Sequence, residues 1–138
     1  MTDHLVAEAD HIALTRLVTE LVWRIDHGLA DEIDELFMDD GEMTLGLISM
    51  RGRAELKKWG RDRDRSATRT HHVCTNMRFL AVGDDQAEGT TILTVYQAEA
   101  TSREQTIPAA IAVYQDRFGR TPEGWRFVSR RSTPTLTR

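Results

Sequence analysis

Residues 14–28, Leu-Thr-Arg-Leu-Val-Thr-Glu-Leu-Val-Trp-Arg-Ile-Asp-His-Gly, carry the clearest periodic signal in the chain. Leu14, Leu17, Val18, Leu21, Val22 and Ile25 recur at spacings of three and four, which in a helix makes one apolar stripe. The stripe predicts a helix over about residues 3–26, ended by Gly28 as a glycine-type C-terminus. Asp26 follows Val18 and Val22 at intervals of four, so it stands at the edge of the buried face. It also stands in the last turn, where the helix dipole is negative and disfavours a carboxylate by about 0.3–1 kcal/mol. An acid so placed calls for compensation. Solvent, or a surface arginine, would serve as well as a specific partner.

Downstream, a short helix is expected with Asp31 as N-cap and Ile33, Leu36 and Phe37 on its buried side, broken by Asp39-Asp40-Gly41. A third helix is expected over about residues 53–64, carrying Leu56 and Trp59. Strand signals then dominate. Residues 43–48 read as a short strand, and 72–82 as a long one ending at the turn Gly83-Asp84-Asp85. Residues 91–101, 107–118 and 125–133 follow, the last two joined through a turn at 119–124 that contains Pro122. Helices first and hairpin-connected strands after predict an α+β fold: a cone-shaped α+β barrel in which helices pack on a curved, mainly antiparallel sheet. The hollow between the layers is the natural small-molecule pocket.

With 138 residues the chain is the size of one domain, residues 1–138, with one core. Its 40% apolar and 29% charged residues, with a net charge of −4, describe an ordinary globular protein and do not suit nucleic-acid binding. The run Arg61-Asp62-Arg63-Asp64-Arg65 alternates in sign and reads as a solvated helix end. Met1-Thr2-Asp3-His4 lacks a basic and apolar leader, and no apolar run approaches the ~18 residues of a membrane span, so a cytoplasmic location without membrane contact is expected. Cys74 is the only cysteine, which excludes an internal disulfide and leaves no Cys-x-x-Cys zinc site, so metal-free chemistry is expected. With no cation beside it in sequence, Cys74 reads as a small buried filler.

His71-His72-Val73-Cys74-Thr75-Asn76 opens the longest strand, and alternation sends the two histidines to opposite faces. His72, Cys74, Asn76 and Arg78 form the more polar set; His71, Val73, Thr75, Met77 and Phe79 form the more apolar one. A bulge would switch the faces midway, so alternation leaves open which histidine looks inward.

The ordered motifs Ile25-Asp26-His27-Gly28, Leu36-Phe37-Met38-Asp39-Asp40-Gly41, Gly52-Arg53, His72-Val73-Cys74-Thr75-Asn76 and Gly124-Trp125-Arg126-Phe127 with Arg130 resemble the SnoaL-like branch of the nuclear transport factor 2-like superfamily. The resemblance runs from about residue 5 to about residue 132 and is strongest to the group with hexachlorocyclohexane dehydrochlorinase, scytalone dehydratase and bile acid 7α-dehydratase. It implies that Asp26 orients His72 as a base and that Arg130, five residues after Trp125, steadies an anion. Such a pair has a clear physical sense. A carboxylate accepting one imidazole N–H fixes the tautomer, aims the other nitrogen's lone pair at the substrate, and stabilises the imidazolium that forms. Arg130 has an alternative as a surface arginine beside Arg131.

Val22, Trp23, Ile48 and Trp59 are expected as apolar pocket walls, with Asn76, Tyr96 and Tyr114 as polar ones. The dehydratases also use a tyrosine in the first helix, where this chain has Leu21-Val22-Trp23-Arg24-Ile25; scytalone dehydratase uses a second histidine, and residues 91–118 contain none. The reading is therefore a cofactor-independent lyase, of dehydratase or dehydrohalogenase type, acting on a small hydrophobic cyclic molecule. An isomerase or polyketide cyclase would use similar proton transfers. From a different class, a non-catalytic ligand-binding protein or the small subunit of a ring-hydroxylating dioxygenase shares the fold. An exposed sheet face predicts a homodimer or homotrimer.

Overall fold

A computed structural model describes residues 4–99 and 107–138. The apolar stripe lies on α1 (Glu8–Asp26), which buries Leu14, Leu17, Val18, Leu21, Val22 and Ile25. Leu29 N–H reaches back to Arg24 O at 2.9 Å across Gly28, whose φ of 74° only a glycine adopts cheaply. The helix starts later than its sequence suggests, and Asp3 lies outside the described residues. Leu5 instead bridges to Leu80, flanked by Ala81 N–H to His4 O at 2.6 Å and Val6 N–H to Phe79 O at 3.2 Å. An edge strand's unpaired backbone groups have captured residues that local propensity leaves free.

The second helix is a 3-10 segment, Ala30–Leu36, and Asp31 does not cap it. Asp64 does so from another element, accepting Ala30 N–H at 2.9 Å and Asp31 N–H at 3.0 Å. Phe37 is not helical, and Asp39-Asp40-Gly41 break nothing: all four lie in β1 (Phe37–Leu45). The register against the neighbouring strand shifts between Phe37 and Glu42, so the turn-prone residues are absorbed as a bulge. The single strand expected over 43–48 is a hairpin, with β1 turning at Gly46-Leu47 into β2 (Ile48–Arg51). Next comes α2 (Gly52–Arg65), which packs on the 3-10 segment and β1. Gly60 makes that approach possible, because a Cβ there would lie 1.9 Å from Ala30 O.

Four long strands complete the sheet: β3 (Arg69–Gly83), β4 (Gln86–Ala98), β5 (Ala110–Thr121) and β6 (Gly124–Thr137). The end at Thr101 expected for the second of them falls outside the described residues. Strand order is β2-β1-β6-β5-β4-β3, antiparallel except where β1 runs parallel to β6. The fold is thus α+β, with helices packed on a six-stranded mixed sheet. The sheet stays open, so the expected barrel is a curved sheet covered by helices and not a closed cylinder. Phe37, Phe79, Phe118 and Phe127 form the aromatic floor between sheet and helices, with the Phe37–Phe127 and Phe118–Phe127 centroids both 5.1 Å apart. A second buried cluster, Val22, Leu93, Ala112 and Tyr114 with Cys74 against it, sits where α1 crosses β3 to β5.

Candidate active site

Which histidine looks inward is decided by a bulge in β3. The register against β4 shifts between Thr75 and Arg78, and Asn76 takes a φ of 53° there. Before the shift His72 and Cys74 pair with Val95 and Leu93; after it Phe79 pairs with Gly89. The bulge therefore puts His72, Cys74, Met77 and Phe79 all on the helix-facing side, drawing from both sets that plain alternation separates. His71 pairs with Tyr96 on the other face and is exposed.

Asp26, the last residue of α1, meets this inner face. His72 Nδ1 lies 2.5 Å from Asp26 Oδ1, and His72 backbone N–H donates to Oδ2 at 2.8 Å. Thr70 Oγ1 donates to Oδ1 at 2.7 Å, because residues two apart on a strand share a face. These donors compensate the acid at the negative end of the helix. Burial pushes the Asp26 carboxyl up, but the His72 and Thr70 hydrogen bonds and the His72 charge outweigh it and hold the group below the usual carboxylate range. An ionised carboxylate only accepts, so Nδ1 carries the proton and Nε2 the lone pair when the imidazole is neutral. Among the described residues no hydrogen bond engages Nε2. The two side chains are 13% and 6% exposed, so the pair is desolvated yet reachable at His72.

Arg130 points inward, not to the surface, and is 2% exposed. Its Nε and Nη2 form a two-pronged pair with Asp116 Oδ1 and Oδ2 at 2.8 and 2.7 Å, and its guanidinium lies 3.7 Å over the Tyr114 ring. Nη1 is buried with no hydrogen-bond partner among the described residues. Burial lowers the Arg130 pKa and the Asp116 charge more than restores it, so the group stays cationic. Burial raises the Tyr114 hydroxyl far above its ordinary value, and Cys74, also buried, is pushed up to about 11, so neither is an anion near neutral pH.

Of the expected walls, Val22 and Tyr114 lie in the cluster beside Cys74. Others do not. Trp23 is 54% exposed, on the side of α1 opposite the apolar stripe, with its ring stacked 3.8 Å from His27. Ile48 is 61% exposed on edge strand β2, Asn76 is exposed at the bulge, and Tyr96 shares the outer face with His71. Trp59 is half-buried on α2, packed against the main core cluster. Sequence reasoning missed Thr70 and Asp116. Asp116 had a signal: in Ala112, Tyr114, Asp116, Phe118 it is the one acid in an alternating row of otherwise non-ionic residues. Among the described residues no three His, Cys, Asp or Glu side chains converge into a metal-binding group, and no helix is long and apolar enough to cross a membrane.

The SnoaL-like domain family profile matches residues 8–131. No curated protein matches. Among solved structures, a protein of unknown function from Mycobacterium tuberculosis is 21% identical, with a TM-score of 0.82, covering 92% of this chain and 72% of that one. A protein from Novosphingobium aromaticivorans provisionally assigned as a scytalone dehydratase is 20% identical, with a TM-score of 0.83, covering 94% and 87%. LinA, the hexachlorocyclohexane dehydrochlorinase, is 19% identical, with a TM-score of 0.80, covering 93% and 87%. At these identities the likeness is one of fold.

Proposed function

Since the chain belongs to the SnoaL-like domain family, we propose that it is a cofactor-independent proton-transfer enzyme, of the dehydratase or dehydrohalogenase kind, acting on a small, largely apolar cyclic substrate. The observation that carries this reading is the 2.5 Å contact between His72 Nδ1 and Asp26 Oδ1, which leaves Nε2 as the basic nitrogen. In the elimination, Nε2 takes a proton from carbon, the C–H electron pair becomes the new double bond, and the bond to the neighbouring leaving group breaks. The departing group leaves with its electron pair, as halide, which leaves His72 to release its proton to solvent afterwards, or as hydroxide, which takes the proton now on Nε2 and departs as water. Asp26 stabilises the imidazolium without taking its proton, since its own proton affinity is held down. Arg130 Nη1 is the buried donor left to meet a departing anion, because Asp116 already occupies the other two prongs. Val22, Leu93 and Tyr114 supply low-polarity walls, in which such charges act strongly.

The test begins with ligands found by thermal shift, incubated with the enzyme in D2O and followed by proton NMR for elimination or carbon–deuterium exchange. His72→Ala and Asp26→Asn should each slow that reaction about a hundred- to ten-thousand-fold while ligand binding persists. Full turnover in both variants would refute the assignment, and binding without any proton exchange in the wild type would favour a ligand-binding role. Val73 and Ile92, exposed on the outer sheet face, support self-association as a homodimer or homotrimer, which sedimentation measures directly.

A further inference from the structure

Asp26 is held by a third element besides α1 and β3. Arg63, in the last turn of α2, donates from Nη2 to Thr70 Oγ1 at 2.7 Å and from Nη1 to Thr68 O at 3.1 Å. A hydroxyl has one proton, and an arginine cannot accept it. With its oxygen taken by Arg63, the Thr70 proton is committed to Asp26 Oδ1, the same oxygen that receives His72 Nδ1–H. The chain Arg63, Thr70, Asp26, His72 is continuous, and its donors converge on the Asp26 carboxylate from both sides. Asp64, next to Arg63, anchors the same helix end to the 3-10 segment, so the guanidinium is delivered from a fixed platform.

We propose that Arg63 and Thr70 are a positioning pair for the base, fixing the Asp26 carboxylate and limiting how much of its negative charge reaches His72. Each donor to the carboxylate draws charge from it, and the nearby guanidinium opposes a second positive charge on the imidazole. The effect is to hold the carboxylate in one orientation and to weaken its pull on the Nδ1 proton, so that Nε2 stays the accepting nitrogen. The other charged or titratable groups around this pair among the described residues are Asp64 on α2, Cys74 on β3, Tyr114 and Asp116 on β5 and Arg130 on β6, and both substitutions leave the identity of each unchanged.

The proposal rests on His72 being the base, but its test needs no substrate. The His72 Cε1–H signal, assigned by its loss in His72→Gln, is followed by NMR from about pH 5 to pH 9, the range that brackets an ordinary imidazole. Thr70→Val should raise the His72 midpoint by the order of half a pH unit or more, and Thr70→Ser should restore it. Arg63→Gln should raise it less, and should add less in the Thr70→Val background than alone. A role confined to joining α2 to β3 would lower stability without moving the midpoint. A midpoint at or below the wild-type value in Thr70→Val, or fully additive shifts, would overturn the proposal. Should Thr70→Val not fold, the Arg63→Gln titration decides in the same way. Failure here leaves His72 as a base, whereas failure of the exchange assay removes the enzyme reading without touching these midpoints.

Discussion

Replacing Asp116 by alanine should be among the most damaging single changes to this protein. Its carboxylate is fully buried, the Arg130 side chain is 1% exposed, and two charge-assisted hydrogen bonds of 2.8 and 2.7 Å join them. Asp116→Ala leaves the guanidinium between the Tyr114 and Phe127 rings with no counter-charge, at 3.7 and 4.7 Å from their centroids. Stripping one partner from a buried pair costs about 3–5 kcal/mol. Against a domain stability of about 5–15 kcal/mol, that is a large share. With a urea m-value of about 1–3 kcal/mol/M, the unfolding midpoint should fall by about 2 M. The double change Asp116→Leu with Arg130→Met removes both charges and should recover most of the loss, since apolar residues of similar volume replace such pairs at little cost. It should nevertheless be inactive if Arg130 Nη1 meets the leaving group. Urea unfolding followed by tryptophan fluorescence measures the first expectation, and the exchange assay the second. A loss below about 1 kcal/mol for Asp116→Ala would refute the buried-charge argument, as would a double variant as unstable as the sum of its parts.

Two further outcomes follow from single contacts. Because the folded-state pKa of Asp26 is depressed, the ionised form contributes stability above its ordinary value of about 3.9, and that contribution is lost as pH falls through the folded value. The gap in urea midpoint between wild type and Asp26→Asn should accordingly be widest near neutral pH and close on acidification; a gap that persists unchanged to about pH 2.5 would contradict the assignment. Gly60→Ala forces a Cβ to within 1.9 Å of backbone oxygen, where no rotamer change relieves it. The cost should reach or exceed the upper end of the usual overpacking range of about 1–3 kcal/mol, read as a fall of about 10 °C in Tm. A Tm within a degree or two of wild type would mean that α2 and the 3-10 segment do not meet so closely.

Much of the helical half was legible because its signal is local. The stripe from Leu14 to Ile25 contains its own period, and Gly28 marks its end without reference to any other segment. Asp26 was conspicuous for a related reason: an acid at the negative end of a helix and at the edge of its apolar face conflicts with both neighbours unless something answers it. Where expectation failed, the deciding partner was remote. Asp39-Asp40-Gly41 form a turn by local preference, but pairing of Phe37 and Glu42 with β6 on either side of them carries them as a bulge within the strand. Trp23 reads as a pocket wall by its chemistry, yet one position beyond Val22 the helix has rotated it away from the core.

By itself, then, the sequence determined the order of elements, the buried face of α1 and the place of Asp26 on it, since each depends on residues within a turn or two of one another. Only the tertiary structure decided that His72 and not His71 meets Asp26, because the answer lies in the Asn76 bulge and its register against β4. It alone supplied Asp116 to Arg130, and Arg63 and Thr70 to Asp26. Arg63 reaches Asp26 only through Thr70, and Asp26 lies 44 residues from Thr70 and 46 from His72, so α1, α2 and β3 must dock before these partners can find one another.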